Sequence, residues 1–306
     1  MHTILGAGGP IADGLARALH DHGITDIRLV SRHPKKVNDS DHLVAADLMD
    51  AAATSRAVAG SEIAYLTVGL PADSALWEEK FPVMMRNTID ACAEHGTKLV
   101  FFDNTYMYPG TPIAQTEATG FAPNGRKGRV RARVTTALLD AMDDNRVEAL
   151  IGRAPEFYGP VPTKSVTNQL VFGRIRAGRR PLVPVNAQTK RSLIWTPDAS
   201  RALALLGNTP GAYGRTWHLP IDTARLTYAE MIEVASAVAG RRIGYTVLPK
   251  RLITVAARVN SQTAEIEELL PRYEGDNIFD SSAFAAAFPD FRVTTYREGI
   301  STILAG

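Results

Sequence analysis

Hydrophobic and polar positions follow two alternating spacings through the first half of the chain. Short continuous apolar runs, typical of strands covered on both faces, alternate with segments whose apolar residues recur every three or four positions, as in amphipathic helices. Six strands are predicted, over residues 2–5, 26–30, 42–45, 62–68, 98–102 and 146–151. The clearest helices are predicted over residues 77–95, ended by Gly96, and over residues 129–142. Strands that alternate with helices predict parallel βαβ units in a doubly wound α/β sheet.

The pattern is less regular after Arg153. Closely spaced prolines divide the chain between residues 155 and 184. Beyond them we predict a helix over residues 197–206, another strand over residues 215–219, and a helix that begins at the capping box from Thr227 to Glu230. These late segments predict a smaller, discontinuous domain beside a nucleotide-binding domain.

Composition sets only broad limits. The chain has 306 residues, 45% of them hydrophobic and 22% charged, and a formal net charge of +2. These values are ordinary for a soluble globular protein and give no reason to expect nucleic acid or an anionic membrane as a partner. No apolar run approaches the roughly 20 residues of a membrane span, and a strand from residue 2 leaves no room for a signal peptide, so we expect the cytoplasm. The single cysteine, Cys92, excludes an internal disulfide and is expected in the core.

A glycine-rich turn links the first predicted strand to the first helix. It runs from Gly6 to Ala12 and fits the pattern G-x-x-G-x-x-G/A. Glycines let the backbone turn tightly and approach phosphates, and a helix N-terminus offers free N–H groups and a partial positive charge. An ordinary tight strand–helix turn is the alternative. The residues expected to hold the diphosphate of a dinucleotide are Gly6, Gly8, Gly9, Pro10 and Ile11.

The end of the second predicted strand favours NADP over NAD. An NAD site places a carboxylate there, whereas an NADP site uses arginine for the 2′-phosphate. This chain has Ser31, which can donate a hydrogen bond, and Arg32, whose fork of N–H donors suits a phosphate, followed closely by Lys35 and Lys36. A solvated basic loop is the alternative.

Two further strand ends supply candidate cofactor contacts. Asp47 and Leu48 follow the third strand, where the carboxylate can accept from the adenine amino group. Thr67, Val68 and Gly69 end the fourth strand, where a small residue lets the chain pass near the cofactor. Plain turn chemistry is the alternative for each.

These motifs together resemble the extended short-chain dehydrogenase/reductase family, in its NAD-dependent epimerase/dehydratase group. Residues 153–160 are similar to the family's R-x-x-N-x-Y-G-P stretch, residues 195–202 to its V-x-D-x-A-x-A segment, and residues 280–282 to its late D-x-x-K stretch. The resemblance covers nearly the whole chain. It implies a Rossmann-like parallel sheet of about seven strands, a bound nicotinamide cofactor and a C-terminal domain for a small-molecule substrate. Family members often form homodimers, which leaves that assembly open here.

The resemblance also suggests domain bounds. The NADP-binding domain is expected to comprise residues 1–155 and about 190–220. The substrate-binding domain is expected to comprise residues about 156–189 and 221–306.

The catalytic motif departs from the family. The family places Ser or Thr after the fifth strand and Tyr-x-x-x-Lys on the next helix, with the tyrosine as general acid and base. Here Asn104 holds the serine position with Thr105 beside it, and no tyrosine occurs from residue 109 to residue 153. The best register places Lys127 at the tyrosine position and Arg131 at the lysine position.

Three hypotheses address this departure. In the first, the protein is an enzyme in which Lys127 exchanges protons, because the like charges of Arg131 and an oxidised nicotinamide lower its pKa. In the second, the fold binds NADPH without chemistry, as do NmrA-like redox-sensing relatives. In the third, both cations bind an anionic substrate or a cofactor phosphate. For the first hypothesis, the alternative proton carriers are Tyr106 and Tyr108, and the residues that would orient the substrate are Asp103 and Asn104.

We favour the first hypothesis, an NADP-dependent oxidoreductase or epimerase that acts on a small carbonyl or alcohol. Arg191, which precedes a predicted strand, is the best single candidate for the substrate pocket. Glu265, Glu267 and Glu268 are expected to form a solvated helix face. No histidine pair has the spacing of a metal site, so we expect no metal.

Overall fold

The computed structural model describes residues 1–161, 163, 165–258 and 260–305. Its strands are β1 His2–Leu5, β2 Ile27–Ser31, β3 His42–Ala45, β4 Ile63–Leu66, β5 Lys98–Asp103, β6 Ala149–Arg153, β7 Glu156–Tyr158, β8 Leu182–Pro184, β9 Leu193–Trp195, β10 Thr216–His218 and β11 Thr246–Leu248. Its α-helices are α1 Pro10–Asp21, α2 Ala51–Val58, α3 Ser74–His95, α4 Gly125–Asp143, α5 Gly173–Arg176, α6 Thr196–Gly207, α7 Tyr228–Val238, α8 Lys250–Ala257, α9 Ser261–Glu267, α10 Pro271–Glu274, α11 Ser282–Ala287 and α12 Tyr296–Ala305.

Seven strands form one parallel sheet in the order β10-β6-β5-β4-β1-β2-β3. The prediction of a doubly wound Rossmann-like sheet is therefore confirmed. The chain order reverses between β1 and β4, and open α/β sheets bind their ligands outside the carboxyl ends of the strands at such a point. The strand register brings Leu5 beside both Val30 and Leu66, so the turns that follow three strands meet at one crevice.

Helices cover both faces of the sheet. On one face α1 and α6 bury Leu15, Leu19 and Leu203 against the strands. On the other face α2, α3 and α4 bury Met85 and Leu138. Strands enclosed in this way explain the continuous apolar runs in the sequence.

A third core is built from late segments of the chain. Tyr158, Phe172, Tyr228 and Tyr296 lie at its centre, between α7, α12 and the two small sheets β7-β9 and β8-β11. This core agrees with the prediction of a smaller, discontinuous C-terminal domain. The domain bounds themselves stay a prediction.

Several predicted elements begin or end elsewhere, with consequences for the site. The helix α3 starts at Ser74, three residues earlier than predicted, because the side chain of Asp73 accepts from the Leu76 N–H and caps it. The helix α4 starts at Gly125 rather than residue 129, which places Lys127 in its first turn. The strand β6 ends at Arg153 rather than residue 151.

Other local predictions hold. Gly96 ends α3 with a left-handed backbone (φ 63°), and the Thr227–Glu230 capping box begins α7. Cys92 is buried, as expected. In the part of the chain that the structure describes, no helix combines the length and apolar character needed to cross a bilayer.

Candidate active site

The glycine turn after β1 leaves an open helix N-terminus. Gly9 caps α1 without any side-chain hydrogen bond, and a Cβ on Gly8 or Gly9 would meet no described atom within 4 Å. Gly6 differs, because a Cβ there would lie 2.7 Å from the Val68 side chain, so its role is the close crossing of β1 and β4. The first turn of α1, at the positive end of its dipole, therefore has no capping side chain, and helix ends of this kind can bind anions.

The residues predicted to contact the adenosine lie at the ends of β2 and β3. Ser31 is half-buried at the end of β2 and Arg32 beyond it is exposed. Leu48 is buried. Asp47 uses Oδ1 to accept from the Met49 N–H at 3.0 Å, which is the turn chemistry considered as its alternative.

The residues predicted to lie near the nicotinamide follow the end of β4. The N–H and hydroxyl of Thr67 both donate to the Leu5 carbonyl, at 2.9 and 3.2 Å, which ties this turn to β1. Val68 packs behind Gly6, and Gly69 is exposed with no described atom within 4 Å of a Cβ. The three predicted residues are thus brought to the switch point, beside the glycine turn.

A buried ion cluster lies at the ends of β5 and β6. Asp103 is opposite Arg153 in the strand register, and its carboxylate accepts from Arg131 Nε at 3.0 Å and from Thr135 at 2.9 Å. Arg153 Nε donates, at 3.3 Å, to Oδ2 of Asp103, the oxygen that also accepts from Thr135. The Arg131 guanidinium also lies 5.0 Å from the ring centroid of Phe101. The carboxylate of Asp103 and the guanidinium of Arg131 therefore balance each other, rather than facing a substrate.

Tyr108 belongs to a second buried network, so its suggested role in proton transfer is corrected. The side chain is fully buried, and its hydroxyl accepts from Arg153 and lies 2.7 Å from His218 Nε2. His218 Nδ1 lies 2.7 Å from the Asp280 carbonyl and must donate to it, which leaves Nε2 to accept from Tyr108. Burial lowers the pKa of His218 to about 3, so the ring is neutral.

Tyr106 follows β5, and its hydroxyl has no hydrogen-bond partner among the described residues. Its ring stacks on Trp77 at 6.0 Å, and the Arg272 guanidinium lies 5.7 Å from its centroid. Asn104 Oδ1 accepts from the Tyr106 N–H at 2.9 Å and so fixes the turn that presents the ring. Burial raises the pKa of Tyr106 to about 12. Thr105 is buried behind it, and its carbonyl accepts from Arg272.

The structure places Lys127 among carboxylates, which corrects two expectations. Its side chain is 2% exposed, and Nζ bonds the Glu265 carboxylate, the Glu265 carbonyl at 2.9 Å and Ser74 Oγ at 3.2 Å. Glu268 Oε1 lies 3.3 Å from the same nitrogen. Glu265 and Glu268 are therefore not a solvated face. The expectation that like charges surround Lys127 is also wrong, because the charged groups nearest to it in the described chain are negative.

Comparison with known proteins places this arrangement in a family. The sequence model of the NAD dependent epimerase/dehydratase family matches residues 2–218. The chain belongs to this family. The resemblance inferred from the sequence is therefore confirmed, and the family depends on nicotinamide dinucleotides.

Solved structures of similar fold include three enzymes. The Thermus thermophilus UDP-glucose 4-epimerase with NAD is 15% identical, with a TM-score of 0.77, and the match covers 100% of this chain and 98% of that one. The Bacillus cereus UDP-glucuronic acid 4-epimerase with NAD is 13% identical, with a TM-score of 0.79 and the same coverage. The GalE-like L-threonine dehydrogenase from Cupriavidus necator, in its holo form, is 18% identical, with a TM-score of 0.78 and coverage of 99% and 98%. No curated protein sequence matches this chain.

Against the epimerase/dehydratase family pattern, Glu156 stands where the R-x-x-N-x-Y-G-P stretch has asparagine. Its carboxylate accepts from Thr167 at 2.6 Å and Tyr273 at 3.1 Å, and lies 3.3 Å from Arg191 Nη2. Arg191 also donates to the Arg272 carbonyl. The sequence marks Glu156 by its departure from the family's asparagine, whereas no motif in the sequence singled out Arg272.

Two guanidiniums lie close together here: Arg191 pairs with Glu156, whereas Arg272 donates to the carbonyls of Thr105 and Tyr108. Arg191 Nε and Arg272 Nη1 are both buried without a hydrogen-bond partner among the described residues. Unpaired buried donors of this kind are costly, and an anionic group would satisfy them. Within the described part of the chain, no group of three or more His, Cys, Asp or Glu could hold a metal ion.

Proposed function

We propose that the protein is an NADP(H)-dependent oxidoreductase or epimerase that acts on a small carbonyl or alcohol substrate. The observation that carries this proposal is the uncapped N-terminus of α1, which faces open space beside Gly8 and Gly9 at the β1/β4 crevice. Membership of the epimerase/dehydratase family supports it. A bound nicotinamide cofactor supplies the hydride acceptor or donor for such chemistry.

The proposed cofactor site runs along the carboxyl ends of four strands. The glycine turn from Gly6 to Ile11 holds the diphosphate, and Thr67, Val68 and Gly69 face the nicotinamide end. On the adenosine side, the exposed Arg32 is available for a 2′-phosphate, with Ser31, Asp47 and Leu48 around the ribose and the base. No carboxylate occupies the end of β2, which supports NADP over NAD.

Tyr106 is the proton carrier that we favour. Its hydroxyl is free of the described residues, and a pKa of about 12 keeps it protonated at neutral pH. A protonated phenol donates to the oxygen of a carbonyl while that group is reduced, so this protonation state suits the reductive direction. Asn104 and Thr105 hold the turn that carries this ring, and Arg131 holds the end of β5 through Asp103.

The substrate is proposed to carry one anionic group. Arg191 Nε and Arg272 Nη1 are the donors that would bind it, and Glu156 balances one of the two positive charges. A single carboxylate or phosphate fits the remaining charge.

Calorimetric titration with NADPH and NADH tests the cofactor proposal. We expect NADPH to bind at least about tenfold more tightly, as a charge-assisted phosphate contact contributes roughly 1.5–3 kcal/mol. Arg32→Ala should remove most of that difference, while Arg241→Ala, an exposed arginine of the smaller domain, should leave it unchanged. Equal affinities for the two dinucleotides would contradict the NADP preference, and no heat with either would contradict the site.

The second candidate function is a non-catalytic NADPH-binding sensor of the NmrA-like kind. The absent Tyr-x-x-x-Lys motif favours it, as does the enclosure of Lys127 by carboxylates. NADPH oxidation with a panel of aldehydes, ketones and keto acids separates the two. Turnover supports the enzyme, whereas tight binding without turnover across the panel supports the sensor.

A further inference from the structure

The helices α8 and α9 form a hairpin, which comprises the described residues of 250–268. Charged side chains join this hairpin to the domain of the seven-stranded sheet, here called the body. No side chain of α8 is fully buried, and Leu252 and Val255 are each 57% exposed. The described side chains of α9 are also only partly buried. The two helices pack on each other, so their apolar surface contributes little to holding the hairpin on the sheet domain.

Two carboxylates join the hairpin to the body. Glu265 accepts from the N–H of Ser74 at 3.1 Å and from its hydroxyl at 2.6 Å, at the N-terminus of α3. Glu268 accepts from the N–H groups of Arg126 at 2.9 Å and Lys127 at 3.2 Å, at the N-terminus of α4. Each carboxylate thus lies at the positive end of a helix dipole, where negative charge is stabilised.

The body is shaped to receive these groups. Gly125 has a left-handed backbone (φ 79°), and a Cβ there would lie 2.6 Å from Glu268 Oε2. Lys127 Nζ lies between the two carboxylates and is 2% exposed as a result. Gly128, in the next position, packs against the carbonyl of Tyr106, so the hairpin closes beside the candidate proton carrier.

We propose that the α8–α9 hairpin is a lid that closes over Lys127 through Glu265 and Glu268, and that it opens when those two charges are removed or screened. Residues held by ion pairs and helix-end contacts, without a buried apolar face, open at lower free energy than the core. Access of a substrate to the α4 end of the crevice then depends on this lid. The lid itself is inferred from the contacts above, and only its consequence for substrate access rests on the proposed function.

Hydrogen exchange of the full chain, followed by mass spectrometry, tests the lid directly. In the double variant Glu265→Gln with Glu268→Gln, peptides covering 250–258 and 260–268 should exchange at least about tenfold faster than in the wild type. The α4 amides of Arg126 and Lys127 should lose protection with them. Glu267→Gln removes the same charge from the same helix, at a side chain with no ion pair among the described residues, and should change exchange by less than about twofold.

Two further measurements keep the test decisive. Raising NaCl from about 0.05 M to about 1 M should speed exchange of the same peptides in the wild type, since salt screens partly exposed charges. An amine-reactive label should modify Lys127 faster in the single variant Glu268→Gln than in the wild type, with Lys35 as the exposed internal reference. Unchanged exchange of the hairpin in the double variant and in high salt, or an equal effect of Glu267→Gln, would overturn the proposal. None of these readouts requires cofactor or turnover.

Discussion

Asp103 and Arg131 form an ion pair in which the carboxylate is fully enclosed and the guanidinium is 4% exposed. Asp103 ends β5 and Arg131 lies on the second turn of α4, so the pair fixes this helix to the end of its strand. Arg131 stands at the position of the lysine in the family's catalytic motif. Because its charge is balanced inside the protein, this position serves the packing of the site.

Replacing Asp103 with asparagine should destabilise the fold strongly. The change leaves Arg131 and Arg153 as buried cations without a counter-charge, and breaking a buried pair in this way costs about 3–5 kcal/mol. Urea denaturation followed by circular dichroism measures the free energy of unfolding. Asp90→Asn is the matched control, since it removes an exposed pair with Arg146 and should cost less than about 1 kcal/mol. A loss for Asp103→Asn no greater than that of the control would contradict the interpretation.

His218 should make stability depend on pH below neutrality. Burial holds its pKa at about 3 in the folded state, against 6.5 as the ordinary value, so the unfolded chain binds more protons between these limits. The contribution of His218 to the free energy of unfolding is complete above pH 6.5. It falls by about 1.4 kcal/mol per pH unit as the pH drops toward 3. Urea titrations at about pH 7.5, 6 and 5 measure the slope of the free energy of unfolding against pH.

His218→Phe is the variant that isolates this effect. Phenylalanine keeps the stacking on Phe279, whose ring centroid lies 4.0 Å away, but cannot take a proton. The variant should lose overall stability because Tyr108 loses its acceptor, yet its pH slope should be flatter than that of the wild type. His20→Gln, on the exposed side of α1, should retain the wild-type slope. An unchanged slope in His218→Phe would show that other groups cause the dependence.

The sheet was predictable because its central strands are covered on both faces, and their continuous apolar runs record that burial. The glycine turn was predictable because Gly6 and Gly8, with φ of 98° and 97°, meet a purely local requirement of the backbone. Lys127 and its carboxylate partners were not, since Glu265 and Glu268 lie more than 130 residues away from it and share a helix face whose spacing is typical of a solvated one. Tyr108 was also misjudged, because sequence spacing gives the position of a side chain along a turn but not the side of the sheet that encloses it.

Tyr106→Phe should lower turnover while leaving cofactor affinity unchanged. The hydroxyl has no structural partner among the described residues, so its removal should change the free energy of unfolding by less than about 0.5 kcal/mol. If the phenol donates the proton, kcat for carbonyl reduction should fall about 100-fold or more. Tyr245→Phe, in the smaller domain, is the control and should retain full activity. Wild-type kcat in Tyr106→Phe would contradict the role of this phenol in proton transfer.

Gly9→Ala should separate cofactor binding from folding. The backbone φ of Gly9 is −108°, which alanine adopts without strain, and a Cβ there meets no described atom within 4 Å. The free energy of unfolding should therefore change by no more than about 1 kcal/mol, since the restriction that alanine places on the unfolded chain is offset by its poorer fit at a helix N-cap. The same methyl group projects into the space proposed for the diphosphate, so the affinity for NADPH should fall at least about tenfold, which corresponds to about 1.4 kcal/mol.

Gly211→Ala is the control. This glycine also has open space around its Cβ but lies on the short turn Pro210–Ala212, so the change should leave both quantities near their wild-type values. Full NADPH affinity in Gly9→Ala would mean that the diphosphate does not approach this turn, and the cofactor site would have to be sought elsewhere.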